Sequence, residues 1–417
     1  MLHYDASTKK VSTAYGNSQQ PPHLTVMNPC FCPSDERKGG RAARAAAAGG
    51  GEGGGGRAAG APCSPPPPRR AAAGWCDSLE RWGSGKMTLA EVLAPAAALA
   101  EAGFPVAPLT AEAWGRGEPQ LRQSRNAQVR RRPSHPPPAG AFPCRPPPLP
   151  SFFDGERGDA FGVRWVGLAI VEEVQAHGGC LTLADLQAHA STFPEPVSAE
   201  YRGHRVWEVP PNGQGITALL ALNILKCIES QDEAEYKHNS PEYLHKVIEA
   251  LRIAFADTHW YCADPAKVAV PVAELLGQEY AARRARLFSP DRAAEDLQHG
   301  HPVASSCTVS FQVVDKNGNA VSFVNSNYMG FGTGLIPSGC GFTLQNRGHN
   351  FSLDPDHPNC LSPGKRPYHT IIPSLITSAS TGELFATFSN MGGFMQPQGH
   401  VQLALNLLEV CGSTKSN

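Results

Sequence analysis

The chain has 417 residues, of which 36 are basic and 37 acidic, so its formal net charge at pH 7 is −1. Such a balance gives no field that would attract nucleic acid or an anionic membrane. The longest apolar run, around 216–228, is interrupted by Asn223 and Lys226 and is too short for a transmembrane helix. The 12 scattered cysteines match neither a zinc pattern nor a small disulfide scaffold and favour a reducing compartment. We therefore expect a cytoplasmic enzyme without nucleic-acid or membrane partners.

The first 70 residues contain two different kinds of sequence. Residues 1–25 have no apolar core region, and Lys9 and Lys10 follow polar residues, so this stretch is not a signal peptide. Residues 28–70 consist largely of Gly, Ala, Arg and Pro and cannot bury enough apolar surface to offset their ordering entropy, so we expect disorder. No aromatic residue lies between the arginines there, which favours a solvated linker over a nucleic-acid-binding segment.

Helical signals begin after this segment and are interrupted once. Thr88 and Glu91 form a capping box that predicts a helix ending at Gly103. Residues 115–150 are again rich in Pro and Arg, and we expect them to be disordered. Helical sequence returns after that, and Thr182 is predicted to cap a further helix.

Residues 213–218 (GQGITA) fit the G-x-G-x-x-A fingerprint of dinucleotide-binding folds, since a predicted strand precedes them and a predicted helix follows. Pro210 and Pro211 stand between strand and turn, and no acidic residue ends a second strand, so a turn that packs helix on strand is the simpler interpretation. The next helix begins at Ser240, and its predicted core stripe is Leu244, Val247, Ile248, Leu251 and Phe255.

A β-hairpin is the clearest element of the chain. Residues 308–314 and 319–326 alternate in polarity around Asp315-Lys316-Asn317-Gly318, whose Asn and Gly readily take the positive φ of a tight turn. The first arm starts with three candidate nucleophiles, Ser306, Cys307 and Thr308, after a segment (289–305) rich in breakers and open to cleavage. Attack on the preceding peptide bond would create an N-terminal residue that carries both nucleophile and base. The alternative is an edge strand with a polar lead-in.

Four ordered motifs follow over roughly ninety residues: NSNYMGFGTG (325–334), FTLQNRGHNFS (342–352), PGKRPYHTIIP (363–373) and MGGFMQPQGHVQ (391–402). Together they resemble the small-subunit half of the γ-glutamyltransferase (glutathione hydrolase) proenzymes, which are N-terminal-nucleophile hydrolases. The resemblance implies an α+β fold, an αββα sandwich of the N-terminal-nucleophile hydrolase type. It also implies a division of the chain into a fragment of large-subunit core (1–27), the disordered segment (28–70), a large-subunit region (71–307) and a small-subunit region (308–417), with both ends of the family domain missing.

The same resemblance assigns catalytic roles. The family places its nucleophile seven residues before the aspartate of the hairpin turn, which makes Thr308 the nucleophile and puts the cleavage between Cys307 and Thr308. Ser326 matches the hydroxyl that steadies the nucleophile and its amine. Gly392 and Gly393 match the paired glycines whose N–H groups form the oxyanion hole.

Substrate contacts carry over with departures from the family pattern. Asn346 and Asn350 fall where the glutamyl α-amino group is held, although an acidic residue of other branches is absent there. His369 and Thr370 fall where two serines contact the α-carboxylate. The arginine that clamps this carboxylate in the family corresponds to Gln19, which is uncharged.

The resemblance implies a proenzyme that cleaves itself into large and small subunits and then cleaves γ-glutamyl amide bonds through a γ-glutamyl-enzyme ester. Glutathione is the expected donor, and no metal or cofactor is expected. The alternative is a catalytically inactive fragment or pseudoenzyme with a binding role or none, suggested by the missing ends and by the loss of the clamp.

Overall fold

The computed structural model describes residues 1–15, 70–127, 160–231, 236–294 and 307–410. The strands are β1 (Leu2–Asp5), β2 (Lys10–Thr13), β3 (Val197–Tyr201), β4 (His204–Glu208), β5 (Cys307–Val314), β6 (Ala320–Tyr328), β7 (Ser374–Ser378) and β8 (Leu384–Phe388). The helices are α1 (Arg70–Trp82), α2 (Leu89–Ala102), α3 (Pro108–Arg122), α4 (Ala160–Ala176), α5 (Leu183–Gln187), α6 (Gly215–Gln231), α7 (Pro241–Tyr261), α8 (Val272–Leu275), α9 (Gln278–Ala285) and α10 (Met395–Leu405). A 3₁₀ turn spans Arg347–Asn350, and a π-helical turn, Asn406–Val410, continues α10. Gln19 and the segment 28–69 lie outside the described residues.

The strands form two antiparallel sheets of four, in the orders β2-β1-β6-β5 and β3-β4-β7-β8. The first sheet joins parts of the chain that are far apart in sequence, because β1 pairs with β6 in the register Leu2↔Ser322. On its other side β1 pairs with β2 in the register Leu2↔Thr13. The amino-terminal strand–turn–strand therefore extends the sheet that carries the predicted hairpin.

The two sheets pack face to face. An apolar core between them combines Leu2 and Tyr4 of the first sheet with Leu375 of the second. Across this layer the hydroxyl of Ser322 donates to the carbonyl of Phe388 over 3.1 Å. The other face of the second sheet is covered by α6, α7 and α10, which bury a larger apolar cluster against it. The second sheet thus has both of its apolar faces buried against other elements.

The predicted hairpin is confirmed, with β5 and β6 as its arms. Asp315 Oδ1 accepts hydrogen bonds from the N–H groups of Asn317 (2.8 Å) and Asn319 (2.9 Å), and Gly318 has φ 86°, a value that favours glycine. The two faces of β5 differ in exposure. Thr308 is 8% exposed and faces inward, whereas the apolar face consists of Val309 (68% exposed), Phe311 (47%) and Val313 (55%).

The helix α2 and its capping box at Thr88 are confirmed, as is the cap at Thr182. The predicted disorder of 115–150 was wrong for the residues that α3 covers. This helix has two ion pairs at i,i+4 spacing, Arg116 with Glu112 and Arg122 with Glu118. Its last turn is also anchored in space, because Gln120 Nε2 donates to the carbonyl of Gly332 over 3.3 Å. Residues 128–159 lie outside the described residues.

The predicted core stripe of α7 is correct only in part. Val247 and Leu251 are buried, but Leu244 and Ile248 are 38% and 53% exposed. The buried face is instead centred on residues that the stripe left out, namely Tyr243, Ala250, Ile253 and Ala254. This face packs against α6 in one buried cluster, and its small alanines are not part of a stripe drawn through the largest apolar side chains.

A buried polar pair fixes the end of β4 to α10. Glu208 Oε1 lies 2.6 Å from His400 Nδ1, and both side chains are almost fully buried. Burial raises the pKa of the Glu208 carboxyl, against the opposing effect of His400. Gly215 begins α6 directly against this pair, since a Cβ there would lie 2.7 Å from the Cβ of Glu208. The pair thus holds the end of β4, where the turn begins, against α10, the helix that follows Gly392 and Gly393.

Candidate active site

Two hydroxyl groups face each other across the hairpin at the start of β5. Thr308 pairs with Ser326 in the strand register, and a register shift lies between Cys307 and Thr308. Thr308 Oγ1 donates to Ser326 Oγ over 3.2 Å, and the same oxygen accepts the N–H of Tyr328 at 2.9 Å. Thr308 is itself buried, so its hydroxyl is shielded from solvent in the residue that follows Cys307.

The turn after β4, residues 210–215 (PPNGQG), packs against residues 367–370. His369 N–H donates to the carbonyl of Asn212 (2.8 Å), and Gln214 N–H donates to the carbonyl of His369 (3.0 Å). Asn212 Nδ2 also donates to the carbonyl of Pro367 at 2.6 Å. The turn therefore binds protein backbone, and Gly215 packs against Glu208. Both contacts fit the interpretation of the GQGITA motif as a turn that packs helix on strand.

The side chain of Gln214 joins this turn to the paired glycines. Gln214 is fully buried, and its Nε2 donates to the carbonyl of Gly393 at 2.7 Å and to that of Thr370 at 3.3 Å. Its Oε1 accepts the hydroxyl of Tyr368 at 3.0 Å. One amide thus holds two segments that lie more than 150 residues later in the sequence.

Gly392 and Gly393 lie between β8 and α10 with φ values of 129° and 58°. Their carbonyls accept the N–H groups of Met395 (2.9 Å) and Gln396 (3.2 Å), which begin α10. Neither glycine N–H donates a hydrogen bond within the described part of the chain. A Cβ at Gly392 would lie 2.8 Å from that of Met395, so the loop requires glycine there. This arrangement offers two backbone donors at a helix start, where an oxyanion is favoured.

Asn346 precedes the 3₁₀ turn, and Asn350 is its last residue. Asn346 Oδ1 accepts the N–H of Met329 at 3.1 Å, and Asn350 Nδ2 donates to the carbonyl of Tyr368 at 2.9 Å. Each amide thus braces a neighbouring loop of the site, and its expected contact with a substrate remains a prediction.

Arg347, between these two asparagines, is a site residue that the sequence reasoning did not single out. It is only 2% exposed, and Nη1 donates to Thr370 Oγ1. Its Cζ lies 4.8 Å from the centroid of the Tyr328 ring. Nη2 is buried without a hydrogen-bond partner among the described residues, and burial lowers the pKa of the guanidinium to about 10. The signal was an arginine inside FTLQNRGHNFS, a segment already assigned to substrate binding.

His369 is buried next to this arginine. Its ring centroid lies 5.6 Å from that of Tyr15, and Nδ1 has no hydrogen-bond partner among the described residues. Burial first, and then the positive charge of Arg347, holds the pKa of His369 well below its ordinary value. The imidazole is therefore neutral at pH 7.

This burial predicts a pH-dependent stability. Because the pKa of His369 is lower in the folded than in the unfolded state, its full contribution is present above the unfolded value, near 6.5, and is lost as the pH falls below it. We expect the free energy of unfolding to fall by about 1 kcal/mol per pH unit below pH 6.5 on account of this residue. Urea unfolding of wild type and His369→Gln between pH 7.5 and 5.5 measures the difference. Equal pH slopes for the two proteins would contradict the prediction.

A continuous series of buried contacts joins the two hydroxyls to the paired glycines. It runs through Thr308, Ser326, Tyr328, Arg347, Thr370, Gln214 and Gly393. The structure thus gathers the predicted residues into one connected region: Thr308 contacts Ser326 directly, and Thr370 reaches Gly393 through Gln214. His369 and Asn350 lie beside this series through the backbone of residues 368–370.

Within the described ranges, none of the helices has the length and apolar character that a membrane span needs. The same residues contain no cluster of three or more His, Cys, Asp or Glu side chains that could hold a metal ion.

Comparisons with known proteins point to one family. The family model for gamma-glutamyltranspeptidase matches residues 70–415. The chain is 34% identical over 345 residues to the glutathione hydrolase-like YwrD proenzyme of Bacillus subtilis, covering 78% of this chain and 61% of that protein. It is 34% identical over 234 residues to the oxamate amidohydrolase proenzyme of Klebsiella pneumoniae, covering 56% and 42%. The chain thus spans between two fifths and three fifths of the length of these relatives.

A solved structure supports the fold. The cephalosporin acylase from Bacillus halodurans superposes with a TM-score of 0.72 at 31% identity, covering 98% of this chain and 71% of that protein. The expected sandwich of the N-terminal-nucleophile hydrolase type is confirmed by this likeness and by the two packed antiparallel sheets. From the match over residues 70–415 and the shared fold, the chain belongs to the gamma-glutamyltranspeptidase family.

Proposed function

We propose that the protein is a proenzyme that cleaves itself between Cys307 and Thr308 and then transfers an acyl group from an amide to Thr308. The observation that carries this proposal is the hydrogen-bonded hydroxyl pair of Thr308, buried at the start of β5, and Ser326, half-buried on β6. Its relatives, which are proenzymes of hydrolases and acylases, support the reaction class. Glutathione is the donor that the family suggests.

Apart from one water molecule, self-cleavage needs only groups that lie on the hairpin. Thr308 Oγ1 attacks the carbonyl carbon of Cys307, and the bond from that carbon to the Thr308 nitrogen breaks. The acyl group is then an ester on Oγ1, and the nitrogen takes up the hydroxyl proton as a free amine. Water hydrolyses the ester, which leaves a carboxylate on Cys307 and restores the Thr308 hydroxyl. Ser326 orients the attacking oxygen, since it accepts the Thr308 hydroxyl before attack.

The new α-amine of Thr308 supplies the base for acyl transfer. An α-amine has an ordinary pKa of about 8, so a useful fraction is unprotonated near neutral pH. It accepts the proton of Oγ1 as that oxygen attacks the amide carbon of the donor, and it returns the proton to the departing amine. Water or an acceptor amine then resolves the ester.

The N–H groups of Gly392 and Gly393 stabilise the tetrahedral oxyanion in this proposal. The Gly392 carbonyl, which shares a peptide with the Gly393 N–H, is held by the N–H of Met395, and the Gly393 carbonyl is held by Gln396 and Gln214, so the loop that carries the two donors is preorganised. Nucleophile, base and oxyanion donors all come from one precursor that becomes two subunits, and the chemistry requires no metal or cofactor.

The test is detection of the acyl-enzyme by intact mass. The protein is mixed with γ-glutamyl p-nitroanilide, quenched in acid after a short time and separated into its two chains. We expect the mass of one acyl group on the chain that begins at Thr308. Ser310→Ala is the matched control, because Ser310 lies two residues along the same face of β5, and this variant should still form the adduct. An adduct on the other chain, or product release with no adduct at any time, would contradict the proposal.

A further inference from the structure

Arg347 carries a buried charge without a partner. Its side chain is almost fully buried, yet among the described residues no Asp or Glu forms an ion pair with it. A buried cation without a counter-charge is costly, so buried charges in proteins are normally paired. The present neighbours are the hydroxyl of Thr370 and the face of the Tyr328 ring, which offset this cost only in part. The missing partner is therefore an anion.

The position of Arg347 links this anion to the substrate. Through Tyr328 the guanidinium is two contacts from Ser326, which holds the Thr308 hydroxyl. Through Thr370 it is likewise two contacts from Gln214, which holds Gly393. An anion bound at Nη2 would thus lie in the region where the acyl chain of the donor extends from Thr308.

Neighbouring groups suit a carboxylate. Thr370 Oγ1 accepts from Arg347, so its own hydrogen can be donated to a second oxygen. His369 is buried and neutral, and its Nδ1 has no partner among the described residues. The charge of Asp264 acts on Tyr15, whose ring lies beside His369. This carboxylate already accepts hydrogen bonds from the N–H groups of Ala266 and Arg366.

The same charge disfavours an ammonium group. A γ-glutamyl donor carries a carboxylate and an ammonium on one carbon, so an ammonium would be placed beside the Arg347 cation. Asn350, the expected ammonium contact, donates its Nδ2 to the carbonyl of Tyr368 and has no negative charge to offset this repulsion. Like charges in a desolvated pocket repel strongly.

We propose that Arg347 binds the carboxylate of the acyl donor and that the site prefers an acyl chain with a terminal carboxylate and no ammonium, as in the monoamide of a dicarboxylic acid. This inference rests on the proposed function, because the chain meant here is the one that Thr308 accepts. It names a substrate class that differs from γ-glutamyl amides by a single charged group.

Four p-nitroanilides separate the effect of the carboxylate from that of the ammonium. Their acyl groups share one four-carbon chain and differ in the charged groups on its last carbon. Glutaryl carries the carboxylate alone, γ-glutamyl carries both groups, 4-aminobutyryl carries the ammonium alone, and butyryl carries neither. For the wild type we expect kcat/KM for glutaryl to exceed that for γ-glutamyl by about 10-fold and that for butyryl by about 100-fold, with 4-aminobutyryl the poorest. A wild type that prefers γ-glutamyl to glutaryl would overturn the inference without any variant.

Arg347→Gln tests the residue itself and keeps a donor toward Thr370. We expect kcat/KM for glutaryl to fall by about 100-fold, chiefly through KM, while that for butyryl changes by less than about threefold. Arg347→Lys should recover part of the loss, since it restores the charge without the fork. Equal losses on all four substrates would assign Arg347 a structural role and overturn the inference.

A binding measurement separates this inference from the proposed function. If none of the four anilides is cleaved, the proposed function fails, but calorimetry with glutarate still tests the carboxylate site. We expect glutarate to bind the wild type and not Arg347→Gln, and n-butylamine to bind neither. The melting midpoint of the variant should be no lower than that of the wild type, because an unpaired buried charge has been removed. Absence of glutarate binding, or equal binding by both proteins, would overturn the inference.

Discussion

Thr308→Ala is expected to lower turnover of a γ-glutamyl or glutaryl anilide by at least about 10⁴-fold, to the background rate. The reason is that one residue supplies two functions in the proposed reaction, namely the attacking oxygen and, after cleavage, the amine that accepts its proton. Removal of the hydroxyl also prevents the step that creates the amine. Release of p-nitroaniline, followed by absorbance, measures the effect.

Thr308→Ser is the matched control for this substitution. It keeps the hydroxyl that Ser326 accepts and loses only the methyl group, so the variant should retain a substantial part of both cleavage and turnover. If Thr308→Ala keeps more than about one hundredth of wild-type turnover, a loss of less than 10²-fold, Thr308 is not the nucleophile.

Gln214→Leu is expected to lower the free energy of unfolding by about 3–5 kcal/mol. The side chain is fully buried, and its replacement leaves the hydroxyl of Tyr368 and the carbonyl of Thr370 without the partner that Gln214 provides. Buried polar groups that lose a partner bear their full desolvation cost. Urea unfolding measures the change, and Gln123→Leu is the control because Gln123 is exposed. A change below about 1 kcal/mol for Gln214→Leu would contradict the central position of this side chain.

The same variant should also lose activity where it remains folded. Gln214 Nε2 holds the carbonyl of Gly393, on the opposite side of this residue from its N–H, and loss of this contact frees Gly393 to turn its N–H away from the oxyanion position. We expect kcat to fall by about 10²-fold, as when one oxyanion donor is removed. Unchanged kcat at a temperature where the variant is folded would show that the peptide is held by α10 alone.

The local elements of the fold could be predicted because their signals are short-range. Alternation of polarity and an Asn-Gly turn are enough for the hairpin, and a capping box is enough for the start of α2. The pairing of β1 with β6 could not be predicted in this way, since its partners lie more than 300 residues apart. The helical start of the segment 115–150 was missed because its prolines and glycines favour disorder, while contacts with Gly332 stabilise the helix.

Site residues could be predicted where a family motif identifies them, but not where the burial of a side chain determines its role. Thr308 and Ser326 were assigned from the resemblance to the family's motifs, and the structure brings their hydroxyls together. Arg347 was passed over because an arginine among Asn and Gly is typical of an exposed turn, and its burial depends on remote residues such as Tyr328 and Thr370. In the GQG motif the glycines drew attention, whereas Gln214 between them makes the long-range contacts.

Intact mass of the purified wild-type protein tests the central claim most directly. We predict two chains, one ending at Cys307 and the other beginning at Thr308, whose masses together exceed that of the precursor by one water molecule. Sequencing from the amino terminus of the smaller chain should read Thr-Val-Ser-Phe. A single uncleaved chain after prolonged incubation, or cleavage at any other bond, would contradict the proposal that Thr308 is an autocatalytically released N-terminal nucleophile.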